Sequence, residues 1–96
     1  MTEERLPPTT LARVVETCSA CPSQWDAWTV TGQYLYLRYR SGIGTVEEQP
    51  GPDPDTWEDL EPITTFGEPS RDGDISIEAF CEAAGLVLAP GVEVER

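Results

Sequence analysis

Three cysteines, an alternation of tyrosine with arginine, and a long run of carboxylates are the features of this sequence whose type and spacing could carry chemistry. Cys18-Ser19-Ala20-Cys21 has the gap that lets two thiolates meet at one zinc ion or form a redox turn. A closed zinc site takes four ligands, and the chain has no histidine, so only Cys81 and a carboxylate remain to complete the set. Redox turns of the thioredoxin kind follow a strand and open a helix, whereas this one is expected to end a helix. Cys18 and Cys81 both stand at apolar helical spacing, where a free cysteine is an ordinary small buried residue. The expectation is therefore no metal and no other cofactor, with a small metal-binding domain built on the Cys18/Cys21 turn as an alternative.

Tyr34, Tyr36, Arg38 and Arg40 alternate, which puts them on one face of a strand, and Trp25 on the strand before is expected to join them. Aromatic rings and guanidinium groups on one sheet face can stack on a planar ligand or grip a peptide. The plainer reading is cross-strand packing, with the arginines neutralising the chain's own acids. Trp25, Tyr34, Tyr36, Arg38 and Arg40 are the alternative ligand face.

Between residues 47 and 68 stand Glu47, Glu48, Asp53, Asp55, Glu58, Asp59, Glu61 and Glu68, with no basic residue among them. The net charge of −12 lies entirely in the second half: residues 1–46 carry four acids and four arginines, while the fourteen acids of residues 47–96 meet only Arg71 and Arg96. Such a field repels nucleic-acid phosphates and anionic membranes and attracts basic surfaces. These eight acids are the expected partner-binding residues, directed at a protein with a basic surface, without direct nucleic-acid or membrane binding. Asp53-Pro54-Asp55 and Asp72-Gly73-Asp74 lack the ligand spacing and closing glutamate of a calcium loop. With neither histidine nor lysine, the chain has no usual general base for a cysteine or serine nucleophile and no Schiff-base or phosphate-loop lysine, so no enzyme is expected.

The elements that must hold these residues follow from periodicity. Leu11, Val14, Val15 and Cys18 recur at helical spacing after Pro7-Pro8, with Thr9 or Thr10 as cap, which predicts a helix over 10–18. Gln24 to Val30 and Gln33 to Arg40 read as a hairpin about a two-residue Thr31-Gly32 loop. That register sets Trp25 opposite Arg38 and Trp28 opposite Leu35, and makes Trp28, Val30, Leu35, Leu37 and Tyr39 the core face. A third strand over 45–49, a Pro/Asp-rich acidic loop over 50–56 and a strand within 60–66 follow. Ser76, Glu78 and Gly85 mark the clearest helix, with Ile77, Phe80, Cys81 and Ala84 on its apolar face. Residues 86–88 read as a short strand, and 89–96 as a frayed tail or a marginal last strand. The 96 residues fit a single domain of α+β class: a small antiparallel sheet of three to five strands with two short helices packed on one face. No basic leader and no apolar stretch near the ~18 residues of a membrane span is visible, so a cytoplasmic protein is expected.

Cys21-Pro22-Ser23-Gln24-Trp25, then Gly32, then Tyr36-Leu37-Arg38-Tyr39-Arg40-Ser41-Gly42 together resemble a pattern in small uncharacterised proteins of actinobacteria and their phages. The lysine-free composition agrees with such a source. The resemblance covers residues 18 to 48, implies an accessory protein of bacterial or phage origin, and brings no ligand or catalytic residue with it. The function expected on these grounds is a non-enzymatic acidic module, a phage-type accessory or inhibitor protein that docks on the basic surface of a nucleic-acid-binding protein.

Overall fold

A computed structural model of the chain describes residues 10–18, 23–58, 61–71 and 73–95. Among these residues nine elements follow one another: β1 (Thr10–Cys18), β2 (Ser23–Thr29), β3 (Tyr34–Arg40), β4 (Ile43–Gln49), a 3₁₀ turn (Pro54–Thr56), β5 (Thr64–Gly67), α1 (Ile77–Ala84), β6 (Val87–Leu88) and β7 (Val94–Glu95). The seven strands form one mixed sheet in the order β5-β4-β3-β2-β1-β6, with β7 also paired to β1. β1 to β5 make an antiparallel meander, and β6 and β7 lie parallel to β1. The expected three to five strands under two helices are thus replaced by seven strands and, among the described residues, one helix. After β5 the chain crosses one face of the sheet to Ser23 of β2, α1 then packs on that face against β4 and β5, and β6 pairs with β1.

The first predicted helix is strand β1, and the reason is local. Thr10, Val14, Val15 and Thr17 are β-branched, which lowers helix propensity and suits a pleated surface. The register with β2 shifts between Leu11 and Arg13, so an extra residue brings Leu11 and Val14 onto the same face although they stand three apart. A bulge in a strand has thereby reproduced the spacing of a helix turn.

The β2–β3 hairpin turns through three residues rather than two. Thr29 N–H donates to the Gln33 carbonyl and Gly32 N–H to the Thr29 carbonyl, both at 2.9 Å, with Gly32 at φ +91° closing the loop. Three-residue loops of this kind use a glycine in the left-handed region. The extra loop residue slides β2 by one position, so Trp25 opposes Leu37 and Trp28 opposes Tyr34. A slip of one residue turns a whole strand over. Trp25 and Ala27 therefore face α1, while Trp28 joins Tyr34 and Tyr36 on the open face; β3 keeps the expected faces.

On the helix side, Leu11, Val14, Trp25, Leu37 and Val46 close on Ile77, Phe80 and Cys81 of α1. Phe80 is fully buried, its ring 5.4 Å from Trp25 and 5.0 Å from Phe66 in edge-to-face geometry. Burying an aromatic side chain of this size stabilises by about 2–3 kcal/mol before packing contacts are counted. α1 begins and ends as its sequence dictates. The Ser76 hydroxyl accepts from Ala79 N–H at 3.1 Å, and Gly85 adopts the left-handed conformation that closes the C-terminus. Ser23 anchors the approach to α1 from β2, donating to the Gly73 carbonyl and accepting from Ile75 N–H, both at 3.2 Å.

Candidate functional site

The connection from β4 to β5 holds five of the eight acids expected to bind a partner, and it is built onto the sheet. Gln49, the last residue of β4, is buried, and its side-chain amide imitates one more strand step: it donates to the Glu58 carbonyl at 3.0 Å and accepts from Glu58 N–H at 2.9 Å. The Asp53 carboxylate accepts from Asp55 N–H at 3.0 Å and caps the 3₁₀ turn, for which Pro54 is preset in φ. Trp57 then folds back, donating its indole N–H to the Gly51 carbonyl at 2.6 Å and laying its ring 4.7 Å from Tyr36 and 6.4 Å from Tyr34. Asp55, Glu58 and Glu61 are exposed on this scaffold. Sequence periodicity did not single out Trp57. Its signal was chemical: one large aromatic in a Pro/Asp loop has to find cover.

The eight acids are not all brought together. Glu48, Asp53, Asp55, Glu58 and Glu61 belong to the end of the sheet where β4 finishes, beside the β2–β3 turn. Glu47 lies opposite Tyr36 on the open face. Glu68 follows β5 at the far end, next to the Ser41-Gly42 turn, and Asp59 lies outside the described residues. Three of the four described arginines lie away from the acidic end: Arg40 pairs with Ile43 at the far end of β3, Arg38 precedes it, and Arg71 follows Ser70, whose N–H donates to the Ser41 carbonyl at 2.8 Å; Arg13 stands on the row of Trp28, Tyr34 and Gln49. Arg13 is engaged with Glu95 at 2.8 Å, the ion pair formed among the described residues, and its guanidinium carbon lies 4.8 Å from the Trp28 ring centre. Its hydrogen bond holds the Glu95 carboxyl below the ordinary range. α1 points its C-terminus at the acidic end, where Leu86 adjoins Leu35 and Thr29, so the negative pole of the helix reinforces the carboxylates.

The open face holds four of the five residues expected as a ligand face. Tyr34, Tyr36, Arg38 and Arg40 share it, whereas Trp25 lies beneath α1 and is replaced there by Trp28, 5.5 Å from Tyr34. The aromatic part is occupied by the chain itself. Tyr34 is buried under Trp28 and Trp57 and donates its hydroxyl to the Asp26 carboxylate at 2.5 Å. Burial first, and then the bond to Asp26, push its pKa well above the usual phenol range. Burial likewise raises Tyr36, against a lowering by Arg38. Arg38 Nε is buried without a hydrogen-bond partner, so part of this guanidinium is held by packing alone.

The cysteines do not form one group. Cys18 pairs with Gln24 on the open face, Cys81 is buried in α1 on the other side of the sheet, and Cys21 lies outside the described residues. Cys18 and Cys81 thus cannot ligate one ion. Among the described residues no three cysteine or carboxylate side chains converge as ligands. No described helix is long and apolar enough to cross a membrane. A depression of about 340 Å³ at the start of α1 is lined by Glu16, Asp74 and Glu78 with Trp25, an arrangement that supports the positive end of the helix. Comparison of the chain with protein-family models, with curated proteins and with solved structures gives no match.

Proposed function

We propose that this protein is a non-enzymatic interaction module whose acidic end docks on a basic protein surface, the kind that nucleic-acid-binding proteins present. One observation carries this reading: Glu48, Asp53, Asp55, Glu58 and Glu61 are exposed at one end of the sheet on a buttressed connection, with no basic partner among the described residues. Arg38, Arg40 and Arg71 lie toward the other end, so the field is polarised along the strands rather than cancelled. Charges arranged this way steer a basic partner and set its orientation. The lack of histidine and lysine supports a role without catalysis. The resemblance of residues 18 to 48 to a pattern in small actinobacterial and phage proteins implies an accessory or inhibitory role.

The test is retention of the chain on an immobilised arginine-rich protein as ionic strength rises. Exposed charges lose most of their attraction beyond a Debye length of about 8 Å at physiological salt and about 3 Å at 1 M. Retention at low salt that disappears near 1 M supports docking through the acidic end. Retention indifferent to salt, or none at low salt, refutes it.

A further inference from the structure

The acidic end contains a groove with two unlike halves, and we propose that it receives an aliphatic side chain and a neighbouring arginine from the basic partner. This inference rests on the docking reading and names the part of the partner that makes contact. One half, about 220 Å³, is lined by Leu35, Ile63 and Leu86 with the threonines of the β2–β3 turn. The other, about 280 Å³, is lined by Gln49, Pro50 and Glu58. Gln33 and Glu48 line both, so the apolar and acidic halves meet along these two side chains.

The floor of the apolar half is core, since Leu35 and Leu86 are 2% and 7% exposed, while Ile63 stands 49% exposed at its rim. An exposed large apolar residue beside a pocket is the part of a surface that gains most when a partner covers it. The polar lining settles what accompanies the aliphatic group. The Thr29 hydroxyl accepts from Thr31 N–H at 3.3 Å and Gln33 N–H at 3.1 Å. The Gln33 amide nitrogen donates to the carbonyls of Tyr34 at 2.8 Å and Gln49 at 3.1 Å, which fixes its Oε1 as the remaining acceptor. Both functions of the Gln49 amide are used by Glu58. The Thr31 hydroxyl closes on the Thr29 hydroxyl at 2.8 Å in the apolar half, and what the acidic half still offers is acceptors: Gln33 Oε1 and the carboxylates of Glu48 and Glu58. An apolar wall next to an acceptor-only wall fits a hydrocarbon beside a cation and rejects an acidic residue. A guanidinium, with five donors in a plane, answers several acceptors at once where an ammonium answers as a point charge.

The experiment is calorimetric titration of the full chain with capped peptides in a Gly/Ser background that differ only in the central pair, Leu-Arg, Ser-Arg or Leu-Gln, beside an arginine-rich peptide without aliphatic residues. Leu-Arg is expected to bind about tenfold tighter than either single replacement. Ile63→Ser, which leaves charge and core intact, and Glu48→Gln are each expected to weaken the Leu-Arg peptide about five- to tenfold. If Ser-Arg binds as well as Leu-Arg, if Leu-Arg does not bind, or if Ile63→Ser has no effect with circular dichroism unchanged, the groove assignment is overturned. The docking reading survives that outcome so long as the arginine-rich peptide binds at low salt and is released by high salt, and it fails separately if that peptide does not bind.

Discussion

Phe66 of β5 lies across Gly44 of β4 so closely that a Cβ at position 44 would overlap its ring. An aromatic side chain thus fills the space a glycine leaves in the neighbouring strand, and it does so against Phe80 at 5.0 Å and Tyr39 at 6.3 Å. These two neighbours limit how far the ring can retreat. Gly44→Ala should therefore cost about 2 kcal/mol through overpacking, seen as a fall of roughly 8–16 °C in Tm for a domain of this size. An unchanged Tm would mean that Phe66 is free to swing away.

The two tryptophans of β2 give the sharpest check on register. Trp25 is 2% exposed and packs on Phe80, whereas Trp28 is half-buried between Arg13 and Tyr34 on the open face. Trp25→Ala should cost about 3–5 kcal/mol in denaturant unfolding, and Trp28→Ala less than about 2. The reverse order would restore the two-residue hairpin loop.

How much of this was legible in the sequence depends on whether the determinant is local. α1 is, because Ser76 and Gly85 act on their own neighbours, and so is the face pattern of β3, because Tyr34 to Arg40 alternate without interruption. β1 is not: its bulge moves Val14 onto the face of Leu11, and only pairing with β2 reveals it. The same holds for Trp25, whose side is decided by one more residue in a distant turn. β6 and β7 contribute two residues each and owe their strand character to the edge of β1, a partner more than seventy residues earlier. For the site, composition exposed the acids, but their division between the two ends, with Glu68 apart from Glu58, exists only after the meander has formed.

Gln49 is the residue that ties the acidic connection to the sheet. Gln49→Ala removes two hydrogen bonds to Glu58. A loss of about 1–3 kcal/mol is expected, together with faster proteolysis between residues 50 and 58 than elsewhere. Cleavage rates across that stretch equal to wild type would show that Trp57 alone holds it.

Alkaline conditions should weaken the fold. Tyr34 and Tyr36 have folded pKa values raised above the ordinary phenol range, and burial pushes the Cys81 thiol up to about 11 from 9.0. A group whose folded pKa lies above its unfolded one contributes stability that is complete below the unfolded value and disappears as pH climbs through the folded one. Unfolding free energy should hold its contribution from these groups up to about pH 8 and decline above about pH 9, first through Cys81 and then through the tyrosines near pH 10. Tyr34→Phe should flatten the upper part of that decline. Denaturant titrations across this range, with tyrosinate absorbance followed in parallel, provide the comparison.

The most direct measurement sets the two ends of the molecule against each other at equal charge. Asp55→Asn/Glu58→Gln/Glu61→Gln removes three charges from the β4–β5 connection, and Glu68→Gln/Asp74→Asn/Glu78→Gln removes three from the arginine end. Affinity for an arginine-rich peptide should fall about tenfold in the first variant and stay within about twofold in the second, with both differences vanishing near 1 M salt. Equal loss in the two variants would show that net charge alone attracts the peptide, and an unchanged affinity in the first would place the docking surface elsewhere.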